Sequence, residues 1–169
     1  NEGFFASDPG FLMERPGRRA RELAELFPAR GKLAILDYGG LNYSTVEGLK
    51  AAGFARSGRI DLLDSGQPPV EGKFDIVSCC DVLERVPDAR ELAHELAGYV
   101  AQNGVIICVT QMQGDDAAGF GPRQGHVSRF SPQAITALWK AEGFEVALLK
   151  NGWHLAWRGS RPDFARHLA

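Results

Sequence analysis

The sequence predicts an α/β protein with a doubly wound, mostly parallel sheet of about six strands in three layers (αβα), completed by a C-terminal antiparallel hairpin. Two observations carry this prediction. Short apolar runs alternate with helical segments along the chain, which is the order of a parallel sheet with helices on both faces. Near the end of the chain, Asn151-Gly152 separates two apolar runs, and this dipeptide is a strong signal for a β-hairpin.

Each helix and strand is predicted from an apolar pattern and its flanking turn residues. The predicted elements are a helix over 16–27, strands over 33–37, 55–63 and 74–80, helices from 44 to 53 and from 88 to 103, a strand over 105–110, a helix from 131 to 143, strands over 144–149 and 153–158, and a short helix at 162–168. Residues 1–14 are aromatic-rich and are predicted to be irregular.

The predicted helix boundaries depend on capping residues. Pro16 suits the first position of a helix, and Ser44 with Glu47 has the spacing of a capping box. Asp88 and Ser131 are good N-cap residues. Asn103-Gly104 is predicted to end the helix that Asp88 begins.

The composition narrows the function classes. A length of 169 residues with 44% apolar residues fits one domain with a real core. The net charge of −2 disfavours nucleic acid as a partner, and no apolar run approaches the roughly 20 residues that span a bilayer. All three cysteines lie in apolar runs, which argues against disulfides and a zinc site and favours a reducing, cytoplasmic compartment.

The ligand site is predicted from the sheet alone, because open parallel sheets bind ligands beyond the carboxyl ends of their strands. That edge comprises residues 37–43, 61–64, 79–84 and 111–126. Neither a P-loop nor the G-x-G-x-x-G dinucleotide fingerprint is present, which disfavours a nicotinamide oxidoreductase. Asp37 precedes Gly39 and Gly40, an order that suits a ligand with positive charge or amino groups, although these residues could also simply shape a strand-to-helix turn.

Three stretches resemble the motifs of class I S-adenosylmethionine-dependent methyltransferases, in the family's order. They are ILDYGG at 35–40, FDIVSCCDVLERVPD at 74–88, and GHVSRFSP at 125–132 followed by AEGF at 141–144. The second stretch, which is similar to the family's strand-four segment, is the most specific. The resemblance covers about residues 15–158 and implies a Rossmann-like methyltransferase fold with S-adenosylmethionine as cofactor.

The resemblance also implies a cofactor seat. Asp37, Gly39, Gly40 and the neighbouring Leu41 would face the methionine end of S-adenosylmethionine. Asp61 would bind the ribose hydroxyls, with Asp64 as the alternative, since a carboxylate can accept two hydroxyl hydrogen bonds. Asp61 could also be a solvated acid in a turn. The residues placed beside the cofactor after strand four are Cys79, Cys80 and Asp81.

The sequence departs from the family pattern at several positions. Leu41 and Tyr43 stand where the second and third motif glycines are expected, and Arg85 replaces the usual histidine. Between Leu63 and Phe74 there is room only for a loop, so the family's third strand is missing. These departures motivate an alternative, a catalytically inactive domain of the same fold that serves binding or assembly in a larger protein.

Catalysis in such a family depends mainly on holding the acceptor in line with an activated methyl group. A general base is needed only when the acceptor is weakly acidic, and His126 in the long loop is the candidate, although it could also be a loop histidine that bonds to the backbone. Arg123 could bind an anionic substrate, and Arg15 or Arg18 could reach the cofactor carboxylate. Solvated side chains are the simpler interpretation of these arginines, and His154 is interpreted as structural.

The sequence therefore predicts a methyltransferase that transfers a methyl group from S-adenosylmethionine to a small-molecule acceptor and releases S-adenosylhomocysteine. We expect a single domain over 1–169, comprising an arm and helix (1–30), a cofactor half (31–110) and a substrate-loop and hairpin half (111–169). No metal, nucleic acid or membrane is expected as a partner. A homodimer, or a place in a larger multidomain protein, is left open.

Overall fold

The computed structural model describes residues 9–39, 44–62, 66–110, 112 and 125–168, and the side chains within these ranges except those of 9–16 and 44–45. The helices are α1 (Pro9–Leu26), α2 (Ser44–Ala51), α3 (Ala89–Tyr99) and α4 (Pro132–Ala141). The strands are β1 (Ala34–Tyr38), β2 (Arg56–Ile60), β3 (Phe74–Cys80), β4 (Val100–Val109), β5 (Glu145–Leu148) and β6 (Trp153–Trp157). Short 3-10 turns lie at Arg30–Lys32, Leu83–Arg85, Lys150–Gly152 and Asp163–Ala165.

The six described strands form one sheet in the order β2-β1-β3-β4-β6-β5. The pairs β1–β2, β1–β3 and β3–β4 are parallel, and β6 runs antiparallel to both β4 and β5. This confirms the prediction of a mostly parallel, six-stranded α/β sheet with a C-terminal antiparallel hairpin.

The core is divided by the sheet into two clusters, because successive strand residues point to opposite faces. Leu23 of α1 and Leu49 of α2 belong to the cluster on one face. Leu96 of α3 and Trp139 of α4 belong to the cluster on the other face. The arrangement is the predicted three-layer one, and it leaves the strand ends available for a site.

The strand β2 forms one edge of the sheet. Arg56 donates a hydrogen bond to the Lys73 carbonyl (2.7 Å), and its guanidinium lies 4.2 Å from the centre of the Phe74 ring. No strand occurs among the described residues 66–73, which agrees with the expected absence of a third strand before Phe74.

Two predicted helix boundaries are wrong. The helix α1 begins at Pro9 rather than Pro16, so part of the stretch predicted to be irregular is helical. An interior proline removes one backbone donor but does not by itself prevent helix formation on both sides. The helix α3 ends at Tyr99 rather than Asn103, and β4 begins at Val100 rather than Val105.

The position of Gly104 in the sheet explains why Asn103-Gly104 does not end a helix. The pairing of β3 with β4 shifts register between Phe74↔Val100 and Ile76↔Val105. A Cβ atom on Gly104 would lie 2.9 Å from the carbonyl oxygens of Phe74 and Asp75. Glycine is therefore needed at this irregularity because the two backbones approach closely.

Other local predictions are confirmed. The strand β3 spans the predicted residues. Asp88 accepts hydrogen bonds from the Arg90 and Glu91 amides, and Ser131 accepts one from the Ala134 amide. Asn151-Gly152 lies in the turn between β5 and β6, where both residues have positive φ. In the described part of the chain, no helix has the length and hydropathy needed to cross a bilayer.

Candidate active site at the carboxyl edge of the sheet

The carboxyl ends of the four parallel strands bring most of the predicted site residues to one edge. Asp37 and Gly39 lie at the end of β1, Asp61 follows β2, and Asp81 follows β3. The predicted residues Gly40, Leu41 and Arg123, and also Tyr43 and Asp64, lie outside the described residues.

Asp37 is an interior carboxylate that connects two strands. Asp37 is only 4% exposed, and its Oδ1 accepts a hydrogen bond from the Ser78 hydroxyl at 2.9 Å. The same hydroxyl lies 3.4 Å from the Leu36 carbonyl oxygen. The acid is therefore held in position beneath the edge before any ligand binds.

Gly39 has a backbone conformation that disfavours other residues. Its φ is +82°, and its amide donates a hydrogen bond to the Ile60 carbonyl at 2.8 Å. A Cβ atom here would lie 2.4 Å from Cγ2 of Val82. Because Gly39 has no side chain, its backbone can lie close to Val82. The sequence did not indicate this contact.

Asp61 is fixed at the edge by two neighbours. Arg59 donates to its Oδ2 at 3.0 Å, and the two side chains are 8% and 11% exposed. The side-chain amide of Gln67 bonds to both the backbone N–H and the carbonyl of Asp61, each at 2.9 Å. Leu62, the next residue, is 46% exposed and adds apolar surface to this edge.

Asp81 has a positive φ of 57° and makes an ion pair with an arginine that the sequence analysis did not select. Arg19 of α1 donates to Oδ2 of Asp81 at 3.1 Å and to Glu22 at 2.6 Å. Its guanidinium carbon lies 5.0 Å from the centre of the Trp153 ring.

The helical spacing of α1 explains which arginine reaches the site. Arg18 is 52% exposed at its side chain and lies 3.7 Å from Glu22, whereas the Arg19 side chain is 13% exposed. Arg19 is four residues before the buried Leu23, and residues four apart share a helix face. Arg15 is four residues before Arg19 and shares this helix face, but its side chain lies outside the described ones, so the prediction of Arg15 stays a prediction.

The cysteines are arranged as core thiols. Cys79 and Cys108 are paired across β3 and β4, fully buried and not disulfide-bonded. The hydrogen bond with Cys108 and burial raise the pKa of the Cys79 thiol, and burial raises that of the partly buried Cys80. Because a thiol reacts as the thiolate, these shifts favour packing over nucleophilic chemistry.

A second group of polar side chains lies at the same edge, beside the start of the substrate-half loop. Glu84 is 1% exposed, and its Oε2 accepts a hydrogen bond from the Thr110 hydroxyl at 2.5 Å. Its Oε1 lies 3.9 Å from Nε2 of His126, whose side chain is 7% exposed. The backbone carbonyl of Glu84 accepts hydrogen bonds from the amides of Val127 (2.8 Å) and Ser128 (3.1 Å).

The electrostatics of this group follow from its burial. Desolvation raises the pKa of the Glu84 carboxyl, while the hydrogen bond from Thr110 opposes the shift. The sequence analysis singled out His126 but not Glu84, because only the fold shows that the two come together.

His154 lies in the core of the sheet. It is 0% exposed, and burial lowers its pKa to about 4, so its ring is neutral near pH 7. Within the described residues neither ring nitrogen makes a well-formed hydrogen bond, although the Gly152 backbone and Glu84 partly offset the desolvation. This environment agrees with its interpretation as a structural residue.

Residues 11–149 match the family described as "Methyltransferase domain", and the chain therefore belongs to that family. No curated protein sequence matches this chain significantly.

Solved structures with the same fold include two whose titles name a methyltransferase. DesVI of Streptomyces venezuelae is 13% identical over 86% of this chain and 93% of its own, with a TM-score of 0.68. The Burkholderia thailandensis 1,6-didemethyltoxoflavin-N1-methyltransferase, with bound 1,6-didemethyltoxoflavin and S-adenosylhomocysteine, is 15% identical over 94% of this chain and 85% of its own (TM-score 0.64). The Synechocystis PCC 6803 magnesium protoporphyrin IX methyltransferase, with bound S-adenosylhomocysteine, is 13% identical over 94% and 92% (TM-score 0.56).

Proposed function

We propose that this protein is an S-adenosylmethionine-dependent methyltransferase that methylates a small-molecule acceptor. The observation that carries the proposal is the carboxyl edge, where Asp37, Gly39, Asp61 and Asp81 come together from three neighbouring strands in a chain that belongs to a methyltransferase family. Structural neighbours were crystallised with S-adenosylhomocysteine, and two are named for small-molecule substrates.

The cofactor would lie across the ends of β1, β2 and β3. Asp61 is the residue we assign to the ribose hydroxyls, because Arg59 and Gln67 hold its carboxylate and backbone in one geometry. The exposed Leu62 offers an apolar contact for the adenine ring. Asp81 and its partner Arg19 carry charges suited to the ammonium and carboxylate groups of the methionine end.

The chemistry demands little of the protein beyond orientation. The sulfonium is already activated, so holding the acceptor in line with the methyl carbon supplies most of the rate acceleration. Arg123 remains a prediction as a contact for an anionic acceptor, and the cytoplasmic location and the single-domain organisation remain predictions as well.

Isothermal calorimetry with S-adenosylhomocysteine tests the proposal. We expect micromolar binding by the wild type and a loss of about 10- to 100-fold for Asp61→Asn, since hydrogen bonds to a charged group contribute about 1.5–3 kcal/mol. Asp163→Asn is the matched control, because Asp163 is 88% exposed and pairs with Arg166 in the C-terminal 3-10 turn. No binding by the wild type at millimolar ligand would refute the proposal.

A further inference from the structure

We propose that Glu84 is a positioning residue that holds His126 ready to accept a proton from the methyl acceptor. The acceptor would then belong to the class whose hydroxyl or N–H group must lose a proton on methylation. This inference rests on the proposed function and concerns residues on the acceptor side of the same edge.

Three hydrogen-bond donors hold Glu84, one at its side chain and two at its backbone carbonyl. Thr110, at the end of β4, donates its hydroxyl proton to Oε2. The amides of Val127 and Ser128 donate to the backbone carbonyl of Glu84, which ties the segment after His126 to the 3-10 turn at Leu83–Arg85. Oε1 is left facing Nε2 of His126 at 3.9 Å and accepts no hydrogen bond from the described residues.

That distance is longer than a hydrogen bond, but catalytic hydrogen bonds are often long before substrate binds. A buried carboxylate opposite one ring nitrogen orients an imidazole and stabilises its protonated form, which is the role of the aspartate in a serine-protease triad. A carboxyl group buried to 1% exposure is costly unless it has such a partner.

The charged groups around Glu84 support a net attraction to a protonated His126. Asp81 raises the pKa of Glu84 and Arg85 lowers it, so these two neighbours act in opposite directions. His154 also faces Glu84 from β6 but is neutral near pH 7, because burial lowers its pKa to about 4. Arg85 is a permanent cation near Glu84, and a protonated His126 would add a second positive charge directly opposite Oε1.

A lone pair of the acceptor oxygen or nitrogen attacks the methyl carbon, and the bond between that carbon and the sulfonium sulfur breaks. Its electron pair remains on sulfur, which gives neutral S-adenosylhomocysteine. The acceptor proton moves to the imidazole of His126, so the imidazolium forms next to the Glu84 carboxylate.

The pairing is tested first without an acceptor, by NMR titration of the full chain labelled with ¹³C-histidine. His126→Asn identifies the His126 resonance. We expect Glu84→Gln to lower the pKa of His126 by about one to three units, which is the usual effect of removing an opposite charge at this distance. Glutamine keeps the shape of the Glu84 side chain, and its amide oxygen can still accept the hydrogen bond from the Thr110 hydroxyl.

A matched control is available in an exposed histidine–glutamate pair. Glu142 lies 3.1 Å from Nδ1 of His94, whose side chain is 82% exposed. Glu142→Gln should leave the titration of His126 unchanged. An unchanged pKa of His126 in Glu84→Gln would overturn the inference whatever the acceptor is.

The second arm measures methyl transfer from radiolabelled S-adenosylmethionine to a panel of phenols, aliphatic alcohols and primary amines of graded acidity. A base matters most for weakly acidic acceptors. The rate loss in His126→Asn should therefore grow as the acceptor becomes less acidic, and Glu84→Gln should shift the acid limb of the kcat/KM profile to lower pH. Equal losses for all acceptors with an unshifted profile would overturn the inference.

Failure of the inference is distinguishable from failure of the proposed function. Both variants should bind S-adenosylhomocysteine within about twofold of the wild type, because neither residue is assigned to the cofactor. If the wild type binds no S-adenosylhomocysteine, the proposed function fails, and the role of His126 as a base for methyl transfer fails with it. If no acceptor in the panel is methylated, the titration of His126 decides whether Glu84 controls its protonation.

Discussion

Replacing Gly39 by alanine should reveal what the first motif glycine does. The φ of +82° is unfavourable for alanine by about 1–2 kcal/mol. The new Cβ would lie 2.4 Å from Cγ2 of Val82, whereas carbon atoms normally approach to about 3.5–4.0 Å. Such overpacking typically costs about 1–3 kcal/mol. We therefore expect Gly39→Ala to lower the free energy of unfolding by about 2–5 kcal/mol.

A double-mutant cycle separates the two contributions. Val82→Ala removes Cγ2, and the next nearest atom to the new Cβ is Cδ1 of Leu62 at 3.5 Å, an ordinary contact. In that background Gly39→Ala should cost only the backbone part, about 1–2 kcal/mol. The coupling between the two substitutions should thus be about 1–3 kcal/mol.

Urea unfolding followed by tryptophan fluorescence gives these free energies. If Gly39→Ala costs the same in the wild type and in the Val82→Ala background, the contact with Val82 is not what requires glycine. Calorimetry on the double variant adds a functional result. Unchanged binding of S-adenosylhomocysteine would mean that the glycine serves packing, and lost binding would mean that the cofactor also approaches this backbone.

Three further predictions concern the core beside the site. The unfolded chain binds the His154 proton more tightly than the folded one, so this histidine's contribution to stability is complete above about pH 6.5 and is lost as the pH falls towards 4. In urea unfolding, His154→Leu should lack this acid-dependent loss of stability, which is about 3 kcal/mol between those pH values. A pH dependence equal to that of the wild type would contradict the prediction. Gly152→Ala should destabilise the protein in the same assay by about 2–4 kcal/mol. Gly152 has a φ of +75°, and the added Cβ would lie 2.5 Å from the Thr110 carbonyl oxygen. A loss of stability below about 0.5 kcal/mol would contradict the prediction. Cys79 and Cys108 should resist a chromogenic disulfide reagent until urea unfolds the chain, and rapid labelling of both in the native protein would show that their burial is wrong.

The sequence was sufficient to predict those helices and strands whose residue pattern fits only one kind of secondary structure. The apolar run of β3 is too short for a buried helix and ends before a turn, and Ser131-Pro132 marks the start of α4 unambiguously. The end of α3 was not predictable in this way. Val100 continues the helical spacing of Leu92 and Leu96, yet it pairs with Phe74 in the sheet. Only the tertiary pairing decides between the two.

The candidate site was predictable to the level of strand ends but not of partners. The rule for parallel sheets selected Asp37, Asp61 and Asp81 correctly as neighbours of one edge. Arg19 and Glu84 were missed as partners because their importance depends on which side chains of other elements face them. Local sequence does not encode contacts between residues 62 or 42 positions apart.

The sheet's termination at β2 has a consequence for behaviour in solution. An edge strand presents a row of backbone donors and acceptors that can pair with another chain. Here the edge is five residues long and carries two arginines, Arg56 and Arg59, and charged side chains on short edge strands discourage intermolecular pairing. The exposed Arg56 carries charge at this edge, whereas the Arg59 side chain is buried against Asp61, the position proposed for the ribose. Arg56→Val should therefore increase aggregation, and Arg59→Val should weaken S-adenosylhomocysteine binding.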